Sequence, residues 1–252
     1  MLVILLGSAV AACGGGSEGA AVPPPTGDVT ATKKTATSCR TEITRALGSP
    51  ERSYAAVVHE RAVVYREPGG PELARFGSEN ANGVPMVFAV RAQRLAADCT
   101  PAWYHVQLPL KPNGITGWVR AADVALASVT TRVVVDLSER TVTLFDGGRE
   151  VLTTRAAIGA PGTPTPTGRY YVNQRLRPHD PSGPFGPGAI GISAFSEVLT
   201  GWTQGGPIAI HGTNRPELIG SAVSTGCVRV RNDVLLTLFD RTRAGTPVTV
   251  RA

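Results

Sequence analysis

One histidine and one cysteine in the C-terminal third of the chain are of the types that cysteine catalysis requires. His211 ends the apolar run Ile208-Ala209-Ile210, and Cys227 follows sixteen residues later in the segment Ser224-Thr225-Gly226-Cys227-Val228-Arg229. A cysteine nucleophile needs a base that takes its proton and backbone N–H groups that stabilise a developing oxyanion. We therefore predict that Cys227 acts as a thiolate nucleophile and that His211 is its base.

Both residues also have a purely structural interpretation. A lone cysteine is usually a small buried hydrophobe, and a lone histidine is more often a satisfied structural residue. A papain-like peptidase is disfavoured, because such enzymes place the cysteine before the histidine and here His211 comes first. No metal site is predicted, since the other histidines, His59, His105 and His179, have no partners at ligand spacing.

The region around the pair resembles the catalytic domain of L,D-transpeptidases, also called YkuD-type domains. That signature runs from a His-Gly pair to a Ser-x-Gly-Cys-x-Arg or Ser-x-Gly-Cys-x-Asn segment, and this chain has His211-Gly212 and then Ser224 to Arg229. Three more segments stand where the family has them: Ala157-Ile158-Gly159, Pro164-Thr165-Pro166-Thr167-Gly168 and Gly245-Thr246-Pro247-Val248. The resemblance implies an L,D-transpeptidase catalytic β-sandwich domain over residues 128–252.

The resemblance also implies a role for each residue of the signature. Cys227 would be the nucleophile, His211 the base, and the carbonyl of Gly212 the group that orients the imidazole. Thr225 stands where many family members have a histidine, which leaves His211 as the only base. The implied oxyanion hole consists of backbone N–H groups of Thr225, Gly226 and Cys227. The implied substrate contacts are Arg229, Ser224, Thr213 and Trp202. For Arg229, binding of a stem-peptide carboxylate and bracing of the loop are both open.

The implied reaction is the crosslinking of peptidoglycan stem peptides. The thiolate would attack the third stem residue, expel the terminal D-alanine and pass the acyl group from a thioester to the amine of a second stem. No cofactor is implied. Water could intercept the thioester, so an L,D-carboxypeptidase is the nearest alternative. A catalytically silent, lipid-anchored wall-binding protein is the alternative from another class.

The N-terminal residues predict export and a lipid anchor. Residues 1–12 are apolar or small and have the length of a signal-peptide core, with an uncleaved apolar anchor as the alternative. The sequence Val10-Ala11-Ala12-Cys13 resembles the lipobox of bacterial lipoproteins, in which the cysteine receives lipid. Cys13 would then attach the protein to the membrane that faces the cell wall. Residues 13–50 begin with a stretch rich in Gly, Ser, Ala, Pro and Thr and are predicted to be a flexible linker.

Two cysteines, Cys39 and Cys99, have no role in this scheme. In an oxidising compartment they could pair, and two unpaired buried thiols are the alternative. The net charge of +6 suits a position near anionic wall polymers or lipid headgroups. Because the basic residues are scattered, a solvated surface is the favoured explanation of the charge, and no nucleic-acid module is predicted.

The remaining patterns predict a chain that is mostly β with a few helices. In residues 51–127, apolar stretches alternate with Gly- and Asn-rich turns, and Thr116-Gly117-Trp118-Val119 resembles the segment that closes bacterial SH3-like barrels. A helix is expected after a cap at Asn232 or Asp233, with a stop at Gly245. Its predicted apolar face consists of Val234, Leu235, Leu238 and Phe239. The turn-rich segment 181–188 could shape the cleft as a lid.

Overall fold

The computed structural model describes residues 39–199, 201 and 203–252. The strands of its N-terminal part are β1 (Arg45–Ala46), β2 (Ser53–Val58), β3 (Arg61–Tyr65), β4 (Glu72–Gly77), β5 (Val87–Leu95), β6 (Pro101–Gln107), β7 (Thr116–Arg120) and β8 (Val124–Val129). The C-terminal part contains β9 (Thr131–Asp136), β10 (Thr141–Asp146), β11 (Arg149–Arg155), β12 (Ile158–Gly159), β13 (Gly168–Leu176), β14 (Ala189–Phe195), β15 (Pro207–His211), β16 (Ala222–Ser224), β17 (Val228–Arg229), the helix α1 (Asn232–Arg241) and β18 (Pro247–Arg251). Short 3-10 helices span Ala121–Asp123, Thr203–Gly205 and Pro216–Leu218. The predicted mostly β class is confirmed.

The strands β1 to β8 form one antiparallel sheet, here called the N-terminal sheet. Its order is β4-β3-β7-β6-β5-β2-β8, and β1 pairs with β5 outside this path. In β3, Ala62 and Val64 are buried while Arg61 is exposed, because successive side chains of a strand point to opposite faces. Cys39 and Cys99 form a disulfide beside this sheet, with Cα atoms 5.1 Å apart.

The remaining strands form a second sheet, here called the catalytic sheet, in the order β11-β10-β9-β18-β13-β14-β15-β17. Its pairs are antiparallel except β18 with β9 and β15 with β17, which are parallel. The strands β12 and β16 form a separate parallel pair. The chain passes from one sheet to the other at Thr130, between β8 and β9.

The helix α1 packs its predicted apolar residues Leu235, Leu238 and Phe239 into the core of the catalytic sheet. Its predicted ends are wrong in two respects. The residue before the helix is Arg231, which makes no capping side-chain hydrogen bond. Asn232 is the first residue of the helix, and its side chain accepts a hydrogen bond from the backbone N–H of Thr213. The helix ends at Arg241 and not at Gly245.

Specific hydrogen bonds join the two sheets. The hydroxyl of the fully buried Tyr171 donates to the carbonyl of Val87 at 3.0 Å. The side chain of Asn113 accepts from the N–H of Phe195 at 2.9 Å and donates to its carbonyl at 2.8 Å. These bonds fix the N-terminal sheet against strands that border the site. Among the described residues, no helix has the length and apolarity that a membrane crossing requires.

Candidate active site

Strand pairing brings the two halves of the predicted motif together. β15 pairs with β14 on one side and, in parallel, with β17 on the other. His211, the last residue of β15, is the register partner of Arg229, the last residue of β17. Because β17 begins directly after Cys227, the cysteine and the histidine lie on adjacent segments although sixteen residues separate them in sequence.

The imidazole of His211 is buried and held in one orientation. Its Nδ1 lies 2.6 Å from the carbonyl oxygen of Gly212. Since a carbonyl can only accept a hydrogen bond, Nδ1 carries the proton of the neutral ring and the lone pair of Nε2 remains available. Burial lowers the pKa of His211 to about 4, the Gly212 carbonyl opposes this change, and the charge of Arg229 adds to it. The ring is therefore neutral near pH 7 and able to accept a proton.

The sulfur of Cys227 is in an environment that disfavours its ionised form. Burial raises the pKa of the Cys227 thiol, and two weaker effects lower it: a hydrogen bond from the backbone N–H of Ala209 and the charge of Arg229. Burial is the largest of these effects, so the pKa of the thiol lies above its ordinary value. The shifts of both pKa values favour the uncharged forms, a thiol at Cys227 and a neutral imidazole at His211.

The loop before the cysteine is braced by one buried hydroxyl. Ser224 Oγ donates to the carbonyl of Cys227 at 2.5 Å and accepts from the N–H of Gly226 at 3.1 Å. Gly226 has a φ of 114°, which side chains of L residues rarely allow, and a Cβ there would lie 2.9 Å from Ile208 Cδ1. The carbonyl of Ser224 accepts from Thr163 Oγ1 at 2.9 Å. The positive φ of residue 226 and the short distance from a Cβ there to Ile208 both favour the predicted glycine at this position.

A second brace supports the carbonyl that orients His211. Asn232 Oδ1 accepts from the N–H of Thr213 at 2.8 Å. The same oxygen would lie only 2.3 Å from a Cβ on Gly212, and a Cβ on Gly186 would lie 2.4 Å from it. Two glycines therefore allow the Asn232 side chain to reach the backbone after the histidine.

The reactive pair opens into one cleft of about 390 Å³. Cys227, His211, Thr225 and Arg229 all line it. Phe185, from the predicted lid segment, is 46% exposed and places its ring 4.8 Å from that of His211. The cleft can therefore bring a substrate to the sulfur and the imidazole together.

Arg229 is fixed in this cleft by its backbone. It exchanges hydrogen bonds with Ala157, N–H to carbonyl in both directions at 2.8 Å. Its side-chain Nε is buried and has no hydrogen-bond partner among the described residues. The guanidinium thus has an unused donor beside the sulfur.

Comparison with known proteins assigns the family. The model of the L,D-transpeptidase catalytic domain, YkuD, matches residues 130–250. The Bacillus subtilis protein named "Putative L,D-transpeptidase YkuD" is 35% identical over 123 residues, which are 49% of this chain and 67% of that protein. The chain belongs to the L,D-transpeptidase family.

Other L,D-transpeptidases match over shorter or more divergent stretches. The Escherichia coli protein named "Probable L,D-transpeptidase ErfK/SrfK" is 41% identical over 91 residues, 35% of this chain and 26% of that protein. A crystal structure of an Enterococcus faecium L,D-transpeptidase variant is 25% identical, covering 48% of this chain and 49% of that one with a TM-score of 0.37. The family model covers the chain from β9 to β18, whose fold is a YkuD-like β-sandwich.

Several residues of the predicted L,D-transpeptidase site do not line the cleft. Ser224 and Thr213 are buried, and the Thr213 hydroxyl accepts from the N–H of Arg215 at 2.9 Å. Trp202 and Cys13 lie outside the described residues. No group of three or more His, Cys, Asp and Glu side chains suited to a metal occurs among the described residues.

Sequence reasoning missed most residues of the cleft, including all four polar or aromatic ones outside the predicted set. Those four are Asn82, Gln174, Phe185 and Gln204. Only Phe185 could have been found, because its segment was predicted as a lid. Asn82 lies in the N-terminal sheet region, far from the motif in sequence, and the L,D-transpeptidase signature contains no information on it.

Proposed function

We propose that this L,D-transpeptidase family member crosslinks peptidoglycan stem peptides through a thioester on Cys227. The observation that carries the proposal is that Cys227 and His211 line one cleft while the Gly212 carbonyl leaves the lone pair of Nε2 free. A neutral base beside a neutral thiol suits general-base activation of the nucleophile during attack.

The first half-reaction forms the thioester. His211 Nε2 takes the thiol proton as the sulfur bonds to the carbonyl carbon of the third stem residue. The tetrahedral intermediate then collapses with cleavage of the C–N bond to the terminal D-alanine. The imidazolium gives its proton to the departing amine, which leaves a neutral His211.

The second half-reaction transfers the acyl group. The amine of a second stem attacks the thioester carbonyl and loses a proton to His211. Collapse breaks the C–S bond, and the imidazolium returns its proton to the sulfur of Cys227. The products are a new amide bond and the original thiol, and no cofactor takes part in either half-reaction.

Backbone donors support the charge that develops during both half-reactions. The N–H of Gly226 already donates to Ser224 Oγ, so the oxyanion hole rests on the neighbouring N–H groups of Thr225 and Cys227. The N–H of Ala209 and the charge of Arg229 favour negative charge on the sulfur as its proton leaves. The position of Arg229 in the wall of the cleft supports binding of a substrate carboxylate, because a guanidinium donates well to such groups.

The rest of the chain fits an enzyme at the outer surface of the membrane. We assign residues 1–12 to a signal peptide, 13–50 to the lipid-modified Cys13 and a linker, 51–127 to an SH3-like domain and 128–252 to the catalytic domain. The protein would act outside the cytoplasm, anchored to the membrane that faces the wall. The disulfide between Cys39 and Cys99 supports an oxidising location.

The decisive experiment mixes the mature protein with stem tetrapeptides and follows the products by mass spectrometry. We expect crosslinked dimers, free D-alanine and a transient adduct on Cys227, none of which the Cys227→Ala variant should give. Shortened monomers without dimers would instead assign an L,D-carboxypeptidase. Intact substrate, together with binding of the protein to wall sacculi, would assign a silent wall-binding protein.

A further inference from the structure

One side chain of the N-terminal sheet region reaches the catalytic cleft. Asn82 lies in the turn between β4 and β5 and lines the cleft together with Cys227 and His211. The turn is tightly closed: the N–H of Asn82 donates to Asn80 Oδ1 at 2.8 Å, and the N–H of Asn80 donates to the carbonyl of Val84 at 2.9 Å. The position of Asn82 is therefore set by the N-terminal sheet.

Asn82 meets two further carboxamides that also line the cleft. Its Nδ2 donates to Gln174 Oε1 at 2.8 Å, and its Oδ1 accepts from Gln204 Nε2 at 3.3 Å. We call Asn82, Gln174 and Gln204 the carboxamide cluster. Asn80 Nδ2 also donates to Gln174 Oε1, at 3.0 Å. The cluster thus spans the boundary between the two sheets.

The cluster leaves groups of both polarities available for a ligand. Gln174 Nε2 and Gln204 Oε1 make no hydrogen bond within the described residues. Gln204 has a φ of 63°, an uncommon value for a residue other than glycine, and such backbone conformations concentrate at ligand sites. A neutral donor beside a neutral acceptor complements the carbonyl and N–H of a peptide bond, whereas a carboxylate would select the charged Arg229.

We propose that the carboxamide cluster binds a peptide bond of the donor stem away from the scissile bond, which makes Asn82 a specificity-determining residue. The inference rests on the proposed function, since it takes the stem peptide as substrate. It assigns the N-terminal sheet an indirect part in substrate recognition, because Asn82 positions the two glutamines whose free groups would contact the ligand.

The test measures binding to the full chain carrying Cys227→Ala, so that turnover plays no part. Calorimetry gives the Kd of a stem tetrapeptide and of an N-acetylated dipeptide made of the third stem residue and D-alanine. Adding Asn82→Ala should weaken binding of the tetrapeptide about 3- to 10-fold, because Gln174 and Gln204 would lose the bonds that orient them and with them about one neutral hydrogen bond to the ligand. Binding of the dipeptide should not change. Asn82→Asp should weaken binding of the tetrapeptide at least as much, because a carboxylate oxygen would face Gln174 Oε1.

The matched control is Glu79→Ala, an exposed residue of the same turn region that does not line the cleft. It should leave both Kd values unchanged. Equal weakening of both ligands by Asn82→Ala would assign a purely structural role and overturn the inference, as would no weakening of either ligand or no binding of the tetrapeptide. Failure of the proposed function is distinct: the stem would bind to the Cys227→Ala chain while the wild-type protein forms no adduct and releases no D-alanine.

Discussion

His211 and Arg229 are register partners in the parallel pair of β15 and β17, so a permanent cation lies near the imidazole and the Cys227 thiol. Its charge lowers the pKa of both the imidazole and the Cys227 thiol. The charge therefore favours the neutral form of the imidazole and the ionised form of the thiol. Burial acts in opposite directions on the two pKa values, because it penalises the cationic ring and the anionic sulfur alike.

We predict that acylation of Cys227 by a carbapenem stays nearly constant from pH 7 to about 5 and falls below about pH 4. The pKa of His211 is lowered to about 4. As the pH falls through that value the ring becomes protonated at Nε2 and can no longer take the thiol proton. The measurement is the rate of adduct formation by mass spectrometry at a series of pH values. An acid limb centred near 6.5, the ordinary pKa of histidine, would contradict the buried neutral imidazole.

We predict that Arg229→Gln raises the pKa of both reactive groups. Removing the positive charge should move the acid limb of acylation to higher pH. It should also raise the pH at which iodoacetamide alkylates Cys227. The charge of Arg229 disfavours the imidazolium and favours the thiolate, so its removal raises both pKa values. The control is Arg231→Gln, which removes an exposed arginine that pairs with Asp233. Shifts of the two pKa values in opposite directions would show that the variant changes burial and not charge.

Much of this site could be predicted because it follows from local sequence. The apolar run before His211 forms β15, the predicted apolar residues of α1 are buried, and the Gly226 conformation is the one that glycine favours. The hydroxyl groups of Ser224 and Thr213, which the resemblance places near substrate, instead bond to backbone groups two or three residues along the chain. The family signature does not distinguish this local role from substrate binding.

The protonation state of Cys227 and the part of the cleft wall that contains Asn82 depend on contacts between residues distant in sequence. Burial of Cys227 arises from segments distant in sequence, so its raised pKa has no local signal. In the same way, Asn82 meets Gln174 across 92 residues. Sequence patterns indicate the chemistry of each side chain but not which groups the two sheets bring into contact with it.

We predict that Ser224→Ala lowers the free energy of unfolding by about 1–3 kcal/mol, the cost of leaving buried polar groups unpaired. The variant would leave the N–H of Gly226 and the carbonyl of Cys227 without their hydroxyl partner. Acylation of Cys227 should slow at least tenfold, because the loop would no longer be fixed. Urea denaturation and the adduct assay measure the two effects. The control, Ser221→Ala, makes the same change at a side chain with no described hydrogen bond, and a similar loss there would refute the special role of Ser224.

We predict that Gly212→Ala raises the activation free energy of Cys227 acylation by more than it lowers the free energy of unfolding. A Cβ at this position would lie 2.3 Å from Asn232 Oδ1 and 3.0 Å from Pro187 Cδ, so the backbone must move together with the carbonyl that orients His211. Gly162→Ala is the matched control, since a Cβ there meets nothing within 4 Å.

Adding Asn232→Ala to Gly212→Ala tests the cause of that loss. The double variant removes the oxygen that the new methyl group meets, so its acylation rate should exceed the product of the two single effects. The measurement is a double-mutant cycle on the acylation rate, with thermal unfolding as a check on folding. If the two effects simply multiply, the clash with Asn232 is not what displaces the carbonyl, and Pro187 becomes the group that restricts this turn.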